Sequence, residues 1–358
     1  MFETIVTGDY KFYNEVNDKK RGIKVTNGRY SRQILFQNIG QQGQTLIAKA
    51  HILIIGMGAL GTHVAEGLVR AGIGEITIID RDYIEYSNLQ RQTLFTEQDA
   101  LEALPKAIAA EQALKQISSD VDIHAYVEHV TPATLEQYGH NITLIIDATD
   151  NFDTRRLING FAYKQRIPWI YGGVVQSTYV EAVFSPGKTP CFNCLLPQLP
   201  AINMTCDTVG VIQPAVTMTT SLQIKDALKL IVGAEVDTKY TYGDVWSGEH
   251  HAFGFSKMHR ADCETCGDHP QFTELTQANK QYATLCGRDT VQFDNPTISQ
   301  EMLHQFLIAK AIPFKSNNYM IMFQYEGHRI ISFQNGRLLI HGMTKPAQAA
   351  TLVNKLFG

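Results

Sequence analysis

The sequence predicts an α/β fold: a Rossmann-like, mostly parallel sheet with helices on both faces, a four-cysteine knuckle set into it, and a small C-terminal α+β domain. Three observations carry this. An apolar, mostly β-branched run at 52–55 enters Gly56-x-Gly58-x-x-Gly61 and then a helical pattern, as a parallel strand buried on both faces does. Short apolar strands alternate with helical stretches, the pattern of crossover-connected sheets. Two C-x-x-C pairs, Cys191/Cys194 and Cys263/Cys266, stand in a 358-residue chain too large to need a disulfide scaffold.

Composition narrows the function classes. The chain is 44% hydrophobic with a net charge of −4. It has no basic tail and no basic stripe with interleaved aromatics, which argues against nucleic acid. No apolar run approaches the roughly 20 residues of a membrane span, and the N-terminus lacks an apolar signal core. A soluble, cytoplasmic protein is expected. Residues 1–28 read as a polar extension whose Lys19-Lys20-Arg21 run is a solvated arm. The main domain spans 29–270, a linker 271–286, and the small domain 287–358.

Residues 29–36 look like a helix start, with Ser31 as one cap candidate. Arg29 and Arg32 are an odd choice for the positive end of a helix dipole, so they are read as facing an anion elsewhere, across a subunit interface. A second helix, 41–49, leads into the strand at 52–55. In the turn that follows, Gly56 and Gly58 allow a tight bend and close approach of a phosphate, and Gly61 lets helix pack on strand. The helix start presents free N–H groups to an anion. Alone, this motif admits NAD(P) or FAD, ATP, or a turn that binds nothing.

After a helix at 61–71, the strand 74–80 ends in Asp80, where a Rossmann unit binds ribose hydroxyls; the alternative is a strand-end turn residue. The polar loop 80–92 carries Asn88, Arg91 and Gln92. A triphosphate needs a guanidinium and amides of this kind. Pro105-Lys106 opens a helix that runs to about 116, and a lysine there reaches a phosphate near the helix N-terminus; otherwise it is a solvated surface lysine. The strand at 121–130 alternates, which places His124 and His129 on its surface. The buried strand 144–147 runs into Asp147-Ala-Thr149-Asp150-Asn151. Two carboxylates at that strand end suit Mg²⁺ held through oxygen and water. Asp150 or Asn151 capping the helix 153–165 is the alternative, and the two roles are compatible.

A hairpin at 169–173 and 176–184 precedes the first cysteine pair. Each C-x-x-C sets two thiolates on one knuckle, and two knuckles complete a tetrahedral Cys₄ site for Zn²⁺; a redox C-x-x-C is the alternative. The 68 residues between the pairs mean that the domain itself must bring them together. His259 and His269 flank the second pair and are read as neighbours of the site, not ligands. Cys206 stands alone in a Gly- and Thr-bearing loop, which leaves it accessible. An amphipathic helix at 214–231 and strands at 240–246 and 253–259 close the domain. The C-terminal unit reads as strand 290–293, helix 299–311, strands near 319–325, 328–334 and 337–341, and helix 345–357. It contains no cysteine, which excludes a rhodanese-type persulfide there. Cys286 reads as a boundary residue, with a redox role as the alternative.

R-Y-S-R-Q at 29–33, the glycine turn, S-N-L-Q-R-Q at 87–92, P-K at 105–106, D-A-T-D-N at 147–151, both C-x-x-C pairs and T-C-D-T-V-G-V at 205–211 occur in order. Together they resemble the MoeB/ThiF/HesA family, relatives of the ubiquitin-activating enzymes, over residues 29–270. The resemblance implies an adenylyltransferase: the C-terminal Gly-Gly carboxylate of a ubiquitin-like sulfur carrier attacks the α-phosphorus of ATP, giving an acyl-adenylate and pyrophosphate before thiocarboxylation. It implies that Arg91 and Lys106 bind phosphate, that Asp80 binds ribose, and that Asp150 serves Mg²⁺. Asn88 and Gln92 match polar site residues, and Arg32 an arginine donated across a homodimer. Cys206 matches a cysteine that links covalently to the carrier in some members. A separate sulfurtransferase or cysteine desulfurase then supplies sulfur. Overall resemblance leans toward a MoaD-type carrier, in molybdopterin synthesis, over a ThiS-type carrier, in thiamine thiazole synthesis. A nicotinamide dehydrogenase would leave Arg91, Lys106 and Asp150 unused. A non-catalytic zinc scaffold would be expected to lose the arginine and lysine.

Overall fold

Strand β1 (His51–Ile55) lies at the centre because both of its faces are apolar. Ile52 and Ile54 enter one core cluster, Leu53 and Ile55 another, and all four are fully buried. Each such side chain contributes about 1.5–3 kcal/mol on burial. The computed structural model describes residues 28–197, 209–276, 282–284, 289–294 and 299–357.

β1 pairs in parallel with β2 (Glu75–Ile79) on one side and β4 (Leu144–Asp147) on the other. β3 (Asp122–Tyr126) extends the sheet beyond β2, and β5 (Trp169–Val175) beyond β4, both parallel. β6 (Thr178–Phe184), β7 (Lys239–Asp244) and β8 (Glu249–Gly254) continue it antiparallel, in the order β3-β2-β1-β4-β5-β6-β7-β8. The chain therefore leaves β1 in one direction and returns for β4 in the other. Such a switch point opens a crevice beyond the carboxyl ends of the strands, where ligands of open α/β sheets bind.

Before β1 come α1 (Ser31–Ile34) and α2 (Gly40–Ile47). Helices α3 (Ala59–Ala71), α4 (Glu97–Glu102), α5 (Lys106–Ile117), α6 (Pro132–Tyr138), α7 (Phe152–Gln165), α8 (Phe192–Leu195) and α9 (Gln213–Ile231) follow. α3, α5 and α9 cover the Ile52/Ile54 face, and α7 with the cysteine knuckle covers the Leu53/Ile55 face. No helix among the described residues is long and apolar enough to cross a membrane.

Some local expectations change. Ser31 is the first residue of α1 and its hydroxyl donates to the Gly28 carbonyl; no side chain caps that helix. β3 ends at Tyr126 because its partner β2 ends at Ile79. His124 stays half-exposed on the strand, but His129 has left the sheet. The closing strand β8 lies at Glu249–Gly254, earlier than the 253–259 read from sequence, and residues 256–258 form a 3₁₀ turn.

The second sheet comprises β9 (Tyr282–Thr284), β10 (Thr290–Asp294), β11 (Phe314–Ser316), β12 (Met320–Tyr325), β13 (His328–Phe333) and β14 (Arg337–His341). It is antiparallel, in the order β11-β12-β13-β14-β10-β9. β9 falls inside the stretch read as linker. Helices α10 (Gln300–Ala309) and α11 (Pro346–Phe357) supply Leu303, Leu307, Leu352, Val353 and Leu356 to one face of it.

Candidate active site

The glycine turn requires glycine at two positions for different reasons. Gly56 has φ +93°, and a Cβ there would lie 2.6 Å from the Ala148 carbonyl oxygen. A Cβ on Gly61 would lie 2.0 Å from the Gly56 oxygen, so α3 could not close on the turn. Gly58 faces open space, with Gln92 Nε2 at 3.8 Å from where a Cβ would be. The turn is closed below and open above, the shape a phosphate needs.

A cavity opens at this turn. Gly56, Gly58, Asp80, Arg91, Gln92, Lys106 and Asp150 line it, together with His129, Asn151, Arg155 and Tyr171. Residues separated by almost a hundred positions thus meet, because β1, β2 and β4 end side by side. Gly61 lies behind the turn. Asn88 is buried and does not line the cavity; its Oδ1 accepts the Glu85 N–H, and its carbonyl accepts the N–H groups of Arg91 and Gln92. Asn88 therefore shapes the turn that presents those two side chains. Arg32 is exposed on α1 and does not reach the cavity of its own chain. Cys206 lies outside the described residues.

Asp80 accepts the Met57 and Asp82 N–H groups, both at 2.6 Å. It thereby ties the end of β2 to the glycine turn. Burial pushes its carboxyl up, Lys106 pulls against this and Asp82 adds to it. Lys106 is not a solvated surface lysine: its side chain is 5% exposed, with Nζ 3.6 Å from Asp82 Oδ2. Gln92 is buried, and its Oε1 has no partner among the described residues. A buried unsatisfied acceptor costs about 1–3 kcal/mol, and this one sits at the wall of the cavity.

The two carboxylates after β4 divide. Asp147 is fully buried; its Oδ1 accepts from Thr149 N and Oγ1 at 2.9 and 2.7 Å, and its Oδ2 accepts from Arg155 Nε at 3.1 Å. Its oxygens are engaged within the fold, so the expected pair of metal carboxylates reduces to one. Asp150 is exposed and faces the cavity. Asn151 caps α7, accepting the Thr154 N–H at 2.8 Å.

Arg155, Tyr171 and His129 also line the cavity, though the sequence reading assigns none of them to the site. Arg155 donates to Asp147, to the Thr149 carbonyl at 2.8 Å and to the Gly172 carbonyl at 3.2 Å, with its guanidinium 5.0 Å from the Tyr171 ring centre. A buried strand-end aspartate demands a cation, and Arg155, eight residues on, was the signal available. His129 Nδ1 accepts from Arg81 Nη1 at 3.0 Å. Burial, helped by Arg81 and Arg337, pushes its pKa down to about 3, so it is a neutral wall residue at pH 7. No sequence pattern marks it.

The four cysteines of the two pairs converge, all Sγ atoms lying within 4.8 Å of one another. Cys191–Cys263 and Cys194–Cys266 are each 3.5 Å apart. Tetrahedral thiolates at 2.3 Å from zinc lie roughly 3.8 Å apart, so the set could hold a metal ion. His259 Nε2 meets the Cys266 carbonyl at 2.9 Å and is not a member of the cluster.

Fold and cavity define an α/β protein of the doubly wound kind, with Arg91, Lys106 and the exposed Asp150 carboxylate gathered around an open glycine turn. The ThiF family pattern matches residues 30–265. The chain belongs to the ThiF family and is an adenylyltransferase. It is 41% identical over 335 residues to the sulfur carrier protein ThiS adenylyltransferase of Bacillus subtilis, covering 92% of this chain and 99% of that protein. It is 31% identical to the sulfur carrier protein adenylyltransferase of Thermus thermophilus, over 72% of this chain and 96% of that one. A Drosophila pseudoobscura adenylyltransferase and sulfurtransferase, MOCS3-1, is 31% identical over 76% of this chain, which spans 60% of that relative. The solved structure of E. coli MccB with ATP shares the fold, with a TM-score of 0.59 at 24% identity over 68% of this chain and 75% of that one.

Proposed function

We propose that this enzyme activates the C-terminal carboxylate of a ThiS-type ubiquitin-like sulfur carrier with ATP. The observation that carries the reading is the meeting of Arg91, Lys106 and Asp150 around the open Gly58 side of the turn. Hydride transfer has no use for that set. A carboxylate attacking a triphosphate needs it, because two anions must approach. A carboxylate oxygen of the carrier bonds to the α-phosphorus, the bond to the bridging oxygen breaks, and pyrophosphate leaves. Arg91 and Lys106 bind the phosphates, Asp80 holds the ribose, and the Gln92 amide takes a polar group beside the turn. Asp150 would hold Mg²⁺, which supplies charge neutralisation when bound.

The lean toward a MoaD-type carrier gives way here. The relative matched over 92% of the chain is a ThiS adenylyltransferase, and its likeness runs past residue 265 into the C-terminal unit. With labelled pyrophosphate and ATP, a ThiS-type carrier is expected to drive exchange at least about tenfold faster than a MoaD-type carrier. The opposite ranking would overturn the choice of carrier. No exchange with either would overturn carboxylate activation itself.

The Cys₄ cluster holds structural zinc in this reading, and a cytoplasmic location suits thiols kept for metal. Elemental analysis should find about one zinc per chain. Cys263→Ser should lose it; a full zinc complement in that variant would refute the ligand set. Sulfur comes from a separate sulfurtransferase or cysteine desulfurase. The active form is a homodimer. Leu35, Phe36 and Leu46 are 64%, 57% and 45% exposed, an apolar surface suited to cover by a second copy.

A further inference from the structure

The C-terminal sheet is buried on both faces. Ile321, Phe323, Ile330, Leu338 and Ile340 point to its own helices. The alternating residues Met320, Ile331, Phe333 and Leu339 pack on Tyr83 and Ala103 of the main domain. A strand whose two faces are both apolar needs two covers. The second cover here is the segment that leaves β2 at Asp80 and runs along the nucleotide cavity.

That segment bears Arg91 and sets the place of Lys106 by pairing with it. Residues 82–84 pair antiparallel with 104–106: Ile84 N–H donates to the Leu104 carbonyl at 2.9 Å and Lys106 N–H to the Asp82 carbonyl at 2.8 Å. The position of Lys106 is thus set by residues 82–84. Glu85 caps the 3₁₀ turn at Tyr86–Asn88, from which Arg91 and Gln92 hang.

Two arginines of the C-terminal sheet grip this segment from behind. Arg337, 3% exposed, donates to the Arg81 carbonyl. Arg329 Nη1 meets Glu85 Oε1 at 3.1 Å, its guanidinium 5.4 Å from the Tyr83 ring centre, and Tyr83 Oη donates to the same carboxylate oxygen at 3.1 Å. Asn317 adds a bond to the Glu102 carbonyl at 2.9 Å. None of Arg329, Arg337 or Asn317 lines the cavity.

We infer that the C-terminal domain is a built-in brace for the nucleotide site, in which Arg329 and Arg337 are positioning residues that hold the 81–92 segment so that Lys106 and Arg91 face the triphosphate. The inference rests on the reading of the cavity as an ATP site. It assigns this domain a task inside the molecule: its second sheet face is already occupied and is not a free docking surface for a carrier.

The test uses the full-length protein and titrates ATP by calorimetry. Arg329→Met removes a half-exposed ion pair and should weaken ATP binding about threefold. Arg337→Met should weaken it about tenfold, and Arg329→Lys should restore binding to within about twofold of wild type. In carrier-dependent exchange, KM for ATP should rise in step while kcat stays within about twofold. Amide exchange across residues 81–92 should quicken in both methionine variants. Because Arg337 is buried, Arg329→Met is the variant that keeps the test valid should the other misfold. Unchanged ATP affinity in folded Arg329→Met and Arg337→Met, with only a lower melting temperature, would overturn the brace. Wild-type protein that binds no ATP would remove the reading beneath it, and the brace with it.

Discussion

Lys106→Ala and Asp150→Ala are each expected to lower carrier-dependent pyrophosphate exchange by about 10²–10³-fold, the loss typical of one preorganised charge at a reacting centre. The two substitutions test different physics. Lys106 is buried, with its ammonium beside Asp82. In such a site a cation is screened less than in water and acts more strongly on a phosphate. Removing it also leaves Asp80 and Asp82 facing each other without their shared counter-charge, so Lys106→Ala should also cost stability. Asp150 is exposed at the cavity, and its alanine variant should melt as wild type does while losing exchange. Exchange at the wild-type rate in either variant would remove that residue's role. The same chains test the dimer. If Arg32 serves the neighbouring subunit's site, mixing inactive Arg32→Ala protein with inactive Lys106→Ala protein should recover about a quarter of wild-type exchange. Half of the randomly paired dimers are then mixed, and each mixed dimer holds one intact site. Two inactive proteins that stay inactive after subunit exchange would show that Arg32 does not serve the neighbouring subunit's site.

The cavity floor was legible because its causes are local. A β-branched run, a glycine turn and a helix start follow one another in eleven residues, and Gly56 and Gly61 each meet a backbone atom only a few positions or one strand away. The cations were legible through the family resemblance, since Lys106 taken alone reads equally as a solvated surface lysine and Arg91 as one polar residue of the loop 80–92. Their burial was not, because Lys106 is enclosed only once residues 82–84 pair with 104–106. The same limit hid His129. A strand read as alternating through residue 130 loses its partner at Ile79, and the residues beyond it turn into the cavity wall. The brace was illegible for a further reason. Consecutive apolar residues at 330–331 and 338–340 announce two covered faces, but nothing in the spacing says that Tyr83 and Ala103, some 240 positions away, are the second cover.

Arg155→Met should be the most destabilising single change near the site, at about 3–5 kcal/mol, because it strands a fully buried carboxylate. Asp147 would keep only its Thr149 donors. The loss should depend on pH with a defined sign. Burial already pushes the Asp147 carboxyl up and Arg155 pulls against it; without Arg155 the upward shift is larger. A carboxyl whose folded pKa exceeds its unfolded value of about 3.9 stabilises fully below that value and loses this as pH rises through the folded pKa. The deficit of Arg155→Met relative to wild type should therefore be greatest at neutral pH and narrow on acidification. Asp147→Asn in the Arg155→Met background should recover part of it, since a buried amide carries no charge. A deficit equal at pH 8 and pH 5, with no recovery in the double variant, would show that the guanidinium acts through packing on Phe152 and Tyr171 instead. The consequence reaches the chemistry as well. Arg155 also holds the Thr149 carbonyl, one residue before Asp150, so one buried ion pair fixes both the end of β4 and the carboxylate that faces the cavity.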